Sequence, residues 1–405
     1  MPTLIGRHDH GEQRGAHQLH YRISAIIATM HIVIEEPLHS DGRGGVAVYN
    51  RRMIRLISEM DPENQYSLFT YCWNLKPEVK KRVTPPEGAR WKHWHAGWPE
   101  RLLRPLEWNV GIPIIESHLK FGGADLYHAH RIPASKSLPL VTTVYDLFSV
   151  VHPEWTSSWM TQLFEEIVRP GLDRVERIMA ISTQTKTDLI ERWNVPEEKI
   201  EVILWGVDRE LFKPLSEEIL APIRKKYDLP ELYFVLVGPF DPWSDPRPSI
   251  RALAKLPDAA LVMAGPHGSC YEDAQRLAAQ LGVADRCRWL GHVPQPELVG
   301  IYNAARGLLF ASGYEGFGLP TLEAMACGTP VITSNSSALP EVAGGAAILV
   351  DHDSDEQILA GMTDLLDNGK HADLREKGLA RAAALTWEDT ARKTLAVYKN
   401  ALAGR

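Results

Sequence analysis

Residues 312–331 read Ser312-Gly-Tyr-Glu-Gly-Phe-Gly-Leu-Pro-Thr-Leu-Glu-Ala-Met-Ala-Cys-Gly-Thr-Pro-Val331. A β-rich run precedes this stretch at 307–310, and its second half has the composition of a helix that begins near Pro320. Gly316 and Gly318 allow the backbone to approach a ligand closely, and a helix start presents unpaired N–H groups to an anion. The stretch therefore predicts a phosphate cradle made of a strand end, a glycine loop and a helix start.

Two acidic residues flank this cradle. Glu315 precedes the glycine loop, and Glu323 lies inside the helix just past it. The two carboxylates can therefore reach a bound ligand on either side of its phosphate groups. Two glutamates at this spacing occur often by chance, so the complete string is the stronger indication.

Outside this stretch, β-rich runs and helical stretches alternate along the chain. Such alternation predicts an α/β fold with helices on both faces of a parallel sheet. The first series has a helix at 46–59 and strands at 32–34, 67–71, 126–130, 141–144, 177–181 and 202–203. The second has strands at 233–237, 260–264, 288–290, 307–310 and 330–333, with helices at 249–255, 271–281, 296–304, 321–326 and 355–368. Two series indicate two Rossmann-like domains.

Breaks in this pattern predict the domain boundaries. Prolines at 214, 222 and 230 interrupt a charged stretch at 211–230, which is typical of a linker. We expect an N-terminal domain at 30–212 and a C-terminal domain at 213–385. A final helix at 386–405 has a capping Thr386 and an apolar face formed by Trp387, Ala391, Leu395 and Tyr398.

The segment at 1–29 is expected to be an extension in front of the fold. It carries four scattered histidines, at positions 8, 10, 17 and 20. A metal-binding tail is the alternative, but the histidines lack the spacing of metal ligands.

Composition excludes several classes of protein. The 405 residues carry a formal charge of −7, which argues against a dedicated nucleic-acid binder. No run of about 18 apolar residues is present, so no segment is expected to span a bilayer, and the first residues lack the apolar core of a signal peptide. The four cysteines include no close pair of the kind that binds zinc. These features favour a cytoplasmic protein.

The stretch at 312–331 closely resembles the E-x7-E signature of the family-4 retaining glycosyltransferases of the GT-B fold. The next segment, Ser334-Asn-Ser-Ser-Ala-Leu-Pro-Glu-Val-Ala-Gly344, is similar to the one that follows in that family. The resemblance implies two Rossmann-like domains facing a cleft, with the final helix crossing back to the N-terminal domain. It also implies a metal-independent, cofactor-free hexosyltransferase that binds a GDP- or UDP-sugar in the C-terminal domain and an acceptor in the N-terminal domain.

The resemblance also implies roles for single residues. Glu315 would hold the transferred sugar and Glu323 the ribose, while the leaving diphosphate helps to deprotonate the acceptor. The expected donor-binding residues are Gly44, Gly45, Arg247, Gly316, Phe317, Gly318, Leu319 and Glu323. The expected catalytic residues are Glu315, Tyr145 and His128, with His130 and Asp146 on the acceptor side.

Several positions depart from the family pattern. Tyr145 stands where the family has a cleft histidine, and Pro239 and Pro248 replace an expected basic pair. Arg247 is the cation left in that loop, and it either reaches the diphosphate or is a solvated surface residue. The histidines at 128 and 130 share one face of a strand; they either substitute for the missing histidine or fill the strand end with ordinary hydrogen bonds.

These departures support an alternative function, a catalytically weak glycosyltransferase-like subunit that binds a nucleotide sugar or an active partner. A nucleotide-sugar epimerase of the same architecture is a third interpretation. The complete cradle favours the transferase. The strings Trp98-Pro, Leu106-Glu-Trp and His152-Pro-Glu154 most resemble mannosyltransferase-like members of polysaccharide and O-antigen assembly. We therefore expect transfer of mannose or a similar hexose to a saccharide or polyprenyl-linked acceptor.

A basic, tryptophan-rich segment lies in the N-terminal domain. Residues 51–120 contain 12 Lys or Arg against 8 Asp or Glu, in a chain that is acidic overall. Four tryptophans (Trp91, Trp94, Trp98, Trp108) are interleaved with four cations (Arg90, Lys92, Arg101, Arg104). This pattern predicts peripheral contact with an anionic membrane that presents a lipid-linked acceptor. The alternative is a solvated rim over a partly buried tryptophan cluster.

Overall fold

Two parallel sheets organise the chain in a computed structural model that describes residues 29–36, 45–71, 74–97, 106, 112–130 and 137–403. The first sheet contains β1 (His31–Glu35), β2 (Gln65–Tyr71), β3 (Trp91–Ala96), β4 (Leu126–Ala129), β5 (Leu140–Val144), β6 (Arg177–Ala180) and β7 (Ile200–Val202) in the order β3-β2-β1-β4-β5-β6-β7. The second contains β8 (Tyr233–Val237), β9 (Ala260–Ala264), β10 (Cys287–Gly291), β11 (Gly307–Phe310), β12 (Val331–Ser334) and β13 (Ile348–Val350) in the order β10-β9-β8-β11-β12-β13. The two expected Rossmann-like halves are confirmed.

The strands are apolar on both faces because helices cover both sides of each sheet. In β8, for example, Tyr233, Phe234 and Val235 are all fully buried. Helices of the first half are α1 (Gly45–Met60), α2 (Pro77–Val83), α3 (Ile114–Phe121), α4 (Phe148–Val151), α5 (Ser158–Leu163), α6 (Arg169–Leu172) and α7 (Thr183–Trp193). Those of the second are α8 (Glu217–Tyr227), α9 (Arg247–Leu253), α10 (Tyr271–Gln280), α11 (Gln295–Ala304), α12 (Leu319–Cys327), α13 (Leu339–Ala343), α14 (Asp355–Leu366) and α15 (Asn368–Ala384). The last helix is α16 (Trp387–Ala403), and a π-helical turn spans Phe164–Val168.

The expected linker at 211–230 contains the helix α8, which was not expected from the sequence. Pro222 lies inside this helix. A proline there removes one backbone hydrogen bond, but Leu220 is buried and Ile223 packs on Gly300 of α11. Acidic residues begin the helix and basic residues end it, which complements the helix dipole. Packing and end charges together outweigh the proline.

Strand β3 was not expected from the sequence, and it changes the interpretation of the tryptophan-rich segment. It pairs in parallel with β2, from Trp91 opposite Tyr66 to Ala96 opposite Tyr71. Trp91 is buried, and the half-buried Trp94 stacks on His31 with ring centroids 5.8 Å apart. These two tryptophans therefore pack inside the first half of the protein, beside its sheet. Positions 98, 101, 104 and 108 of that segment, and positions 1–28 of the expected extension, lie outside the described residues.

The final helix packs on the first half of the chain, as expected. Trp387, Ala391, Leu395 and Tyr398 are all buried, so the apolar face that the sequence indicated is covered. Thr394 Oγ1 lies 3.9 Å from Sδ of Met53 in α1. The chain therefore leaves the second half and ends against the first.

Candidate active site

A cavity of about 470 Å³ lies between the two halves. Parallel sheets bind ligands beyond the carboxyl ends of their strands, at the point where the strand order reverses. That point lies between β8 and β11 in the second sheet. Residues that follow these two strands line the cavity, and Tyr145 and Asp146 line it from the first half.

The two glycines of the loop are required for different structural reasons. Gly318 precedes α12 with φ of 93°, a left-handed conformation that side chains disfavour. A Cβ at Gly316 would overlap with the main-chain oxygen of Tyr145. Gly316 also lines the cavity, and its lack of a side chain allows the other half of the protein to approach the loop there. Phe317 and Leu319 line the cavity between and beyond these glycines.

Both glutamates of the motif line this cavity. Burial raises the pKa of Glu315 to about 7, with a smaller contribution from nearby Asp146. Burial also raises the pKa of Glu323 to about 7, although its carboxylate accepts a hydrogen bond from Tyr302 Oη at 3.2 Å. The start of α12 lies between them in sequence and supplies N–H groups for an anion. The site therefore combines the start of a helix with two carboxyl groups whose pKa values are raised to about 7.

Tyr145 and Asp146 form the opposite wall. Tyr145 stacks on His130 with ring centroids 5.6 Å apart, and its hydroxyl lies 3.0 Å from Nδ1 of that histidine. Burial raises the pKa of Tyr145 well above its ordinary value, so the phenol is neutral. Burial also raises the pKa of Asp146, whose Oδ1 accepts a hydrogen bond from the Phe148 amide at 3.0 Å. This wall therefore presents a neutral phenol and a carboxyl group that keeps its proton to a higher pH than an ordinary aspartate, because its pKa is raised.

The positions of the expected basic pair provide no cation here. Arg247 is held by Asp245, with a guanidinium-to-carboxylate distance of 2.6 Å, and lies near Asp273. Among the described residues that line the cavity, none is Lys or Arg, and Pro239 occupies part of the wall. The expected contact of Arg247 with the donor is therefore not supported. Pro248 is buried in α9.

Family models match nearly the whole described chain. Residues 43–211 match the model described as Glycosyltransferase Family 4, and residues 221–381 match Glycosyl transferases group 1. A D-inositol 3-phosphate glycosyltransferase of Thermomonospora curvata is 31% identical over 419 residues, covering 93% of this chain and 96% of the relative. The chain belongs to the family-4 glycosyltransferases.

Other proteins similar to this glycosyltransferase carry different names. The O-antigen chain mannosyltransferase B of Escherichia coli is 29% identical over 307 residues, covering 74% of this chain and 78% of the relative. Among solved structures, sucrose-phosphate synthase from Thermosynechococcus elongatus has a TM-score of 0.72 at 20% identity, covering 93% of this chain and all of the other. HepE of Anabaena, in complex with UDP and glucose, has a TM-score of 0.70 at 18% identity, covering 92% of this chain and all of the other. These structures show the GT-B fold of the glycosyltransferase.

His128 does not lie in the cavity of this glycosyltransferase. It is buried, with Nδ1 2.8 Å from Tyr398 Oη and Nε2 2.9 Å from Thr143 Oγ1. Both ring nitrogens therefore have partners inside the first half, next to the final helix. This placement argues against the catalytic role expected of His128 and favours ordinary hydrogen bonding.

The sequence did not indicate several residues of the site. Ser337 has a positive φ of 52°, and its Oγ accepts a hydrogen bond from the Glu315 amide at 2.9 Å. His292 and Gln295 line the cavity beyond the end of β10. Their position after a strand of the second sheet was the available signal. Of the expected glycine pair, Gly44 lies outside the described residues, and Gly45 is the first residue of α1.

Neither a metal cluster nor a membrane-spanning helix is found in the described part of the chain. Within it, His, Cys, Asp and Glu nowhere form a group of three or more that could hold a metal ion. No helix there is both long and apolar enough to cross a bilayer.

Proposed function

We propose that this glycosyltransferase moves mannose or a similar hexose, with retention of configuration, from a GDP- or UDP-sugar to a saccharide or polyprenyl-linked acceptor in polysaccharide assembly. The observation that carries the proposal is that Glu315 and Glu323 line one cavity on either side of the α12 start. The similarity to an O-antigen chain mannosyltransferase supports the hexose and the pathway class.

The start of α12 at the cavity supports binding of a diphosphate donor. Each helix-end interaction stabilises an anion by about 0.3–2 kcal/mol, so the diphosphate would lie against the residues 316–319 and the α12 amides without a metal ion. Glu315 would hold the hydroxyls of the transferred sugar, and Glu323 those of the ribose. The complex of HepE with UDP and glucose supports a nucleotide-sugar donor. We place the acceptor on the opposite wall, near Asp146.

A donor-binding screen tests this proposal. GDP- and UDP-hexoses are titrated into the wild type, Glu315→Ala and a control, Glu376→Ala, which removes an exposed carboxylate from α15. We expect one donor class to bind the wild type and the control. In an assay of transfer or donor hydrolysis with that donor, Glu315→Ala should lose about tenfold or more in kcat. Absence of donor binding, or a Glu315→Ala variant equal to the wild type, would refute the proposal.

The cavity wall also favours a second candidate function. Pro239 lines the cavity where a cation was expected, and Arg247 is paired with Asp245 instead. A weak or inactive subunit that binds the donor is consistent with this wall. Donor binding at ordinary affinity without transfer to any saccharide, lipid-linked acceptor or water would favour it over the transferase.

We also propose peripheral contact with an anionic membrane, at the inner face of the cell membrane. Phe121 at the end of α3 is 96% exposed and follows Lys120, while Ile112 is 44% exposed. Exposed apolar and basic side chains favour binding to anionic lipid. Flotation with vesicles containing anionic lipid should carry the wild type at low salt and less of Phe121→Ser. Equal flotation of the variant, or none of the wild type, would contradict this surface.

A further inference from the structure

The helix α7 of the first half contacts the loop that carries Glu315 in the second half. Tyr314 Oη donates a hydrogen bond of 2.7 Å to Oδ2 of Asp188, which lies in α7, 126 positions away in the chain. Tyr314 and Asp188 are each only 4% exposed, so water hardly competes for this bond. A buried hydroxyl-to-carboxylate hydrogen bond therefore joins the two halves at the residue next to Glu315.

The same face of α7 also supports the opposite wall of the cavity. Thr185 lies three residues before Asp188, so the two side chains are neighbours on one face of the helix. Thr185 Oγ1 donates to the main-chain oxygen of Tyr145 at 3.2 Å, and that oxygen lies against Gly316. The helix therefore fixes the loop at a second point, one residue beyond Glu315.

The second half holds this loop from its own side. The Gly313 amide donates to the main-chain oxygen of Trp243 at 2.7 Å, and the Glu315 amide donates to Ser337 Oγ at 2.9 Å. These main-chain bonds set the course of the loop within the second half. The bond from the Tyr314 side chain sets where the loop lies relative to the first half.

We propose that Asp188 is a positioning residue for the transfer reaction, and that it acts through Tyr314 to hold the Glu315 carboxylate where it binds the transferred sugar. This inference rests on the sugar-binding role proposed above for Glu315. Neither Asp188 nor Tyr314 is among the described residues that line the cavity, so both act through Glu315 and not on the substrate. Adjacent residues share a rigid peptide unit, so displacement of Tyr314 moves Glu315 with it. A displacement of about 1 Å at a reacting group can cost about 100-fold in rate.

A second hydrogen-bonded contact between the halves provides a matched control. Thr183, at the start of α7, donates through its amide and its hydroxyl to the Glu341 carboxylate of α13, at 2.7 and 2.6 Å. This exposed pair joins the same helix to a segment other than the Glu315 loop. Its loss should therefore loosen the contact between the halves without removing the support of Tyr314.

Steady-state kinetics of matched variants test the proposal. Asp188→Ala and Tyr314→Phe each remove the buried bond, Asp188→Asn keeps an oxygen that accepts it, and Glu341→Ala removes the control contact. With the donor found by the screen, we expect Asp188→Ala and Tyr314→Phe to lose about tenfold or more in kcat. Donor KM should change less than about threefold, because the diphosphate and the ribose bind elsewhere in the cavity. Asp188→Asn should recover most of the lost kcat, and the double variant Asp188→Ala/Tyr314→Phe should be no slower than either single variant.

A second measurement needs no substrate and reports on Glu315 itself. Burial raises the pKa of Glu315 to about 7, so its ionisation above that pH destabilises the folded protein. When the loop loses the Tyr314 bond, water should reach the carboxyl and its pKa should fall toward the ordinary value. In urea unfolding at about pH 8.5, the midpoint gain from Glu315→Gln should shrink by about half or more in a Tyr314→Phe background. In a Glu341→Ala background it should stay as large as in the wild type.

Several results would overturn the proposal. One is a kcat within about twofold of wild type in both Asp188→Ala and Tyr314→Phe. Another is an equal loss in Glu341→Ala, since the effect would then belong to docking of the halves in general. A third is an undiminished gain from Glu315→Gln in the Tyr314→Phe background, a variant that removes one oxygen and serves even where Asp188→Ala does not fold. A wild type that turns over no donor refutes the transferase, while the unfolding midpoints still decide whether Tyr314 positions Glu315.

Discussion

Replacing Glu315 by glutamine should stabilise the ligand-free protein at high pH while abolishing its activity. Burial raises the pKa of this carboxyl from an ordinary 4.5 to about 7. Since one pKa unit corresponds to about 1.4 kcal/mol, full ionisation costs the folded state up to about 3 kcal/mol. Glu315 lines a cavity of about 470 Å³, which has room for water that would solvate the charge, so we expect about half of that, roughly 1–2 kcal/mol.

The sign follows from the direction of the shift. Below the unfolded pKa, both states hold the proton and Glu315 has no effect on stability. As the pH rises from 4.5 to about 7, the unfolded chain releases the proton first, so the folded state loses stability. Above the folded pKa the full cost is present. Glu315→Gln lacks this ionisation, so its advantage should appear across this window and persist above it.

Urea unfolding followed by tryptophan fluorescence measures the effect. Midpoints are compared between about pH 4 and about pH 8.5 for the wild type, Glu315→Gln and the exposed control Glu376→Gln. The control should keep the wild-type pH dependence. If Glu315→Gln follows the same pH dependence as the wild type, or is less stable at high pH, then the cost of burying this charge was misjudged. Activity should be lost in the same variant, because Glu315 is the carboxylate proposed to hold the transferred sugar. A residue that lowers stability in this way is commonly retained for function.

Three further outcomes follow from the geometry of the site. Gly316→Ala should place a methyl group against the Tyr145 carbonyl and push the two halves apart. Overpacking of this kind costs about 1–3 kcal/mol. Both donor affinity and kcat should therefore fall in steady-state assays. Gly318→Ala should lower the unfolding midpoint, since the left-handed conformation costs about 1–2 kcal/mol for a side-chain-bearing residue; an unchanged midpoint would exclude that strain. Arg247→Ala should change donor affinity by calorimetry less than about twofold, because Asp245 holds the guanidinium; a tenfold loss would show that Arg247 moves onto the donor.

Much of the fold was readable because its signals are local. The strand–glycine loop–helix string at 307–327 and the alternation of strand and helix both depend on residues that are neighbours in sequence. The apolar face of the final helix predicted that the helix packs, and it does. Strand β3 and the helix α8 were missed, because pairing with β2 and packing on α11 stabilise segments whose own composition is weakly patterned.

The same contrast between local signals and long-range packing applies to the candidate site. The sequence predicted Glu315 and Glu323 as site residues, and both line one cavity with the start of α12. It could not indicate which way a side chain turns, since partners distant in the chain decide that. Arg247 turns to a carboxylate, His128 turns to the final helix, and Gly316 meets the opposite half of the protein. Residue types and spacings in the sequence predicted which chemical groups the site could use, and long-range packing decided which of these groups line the cavity.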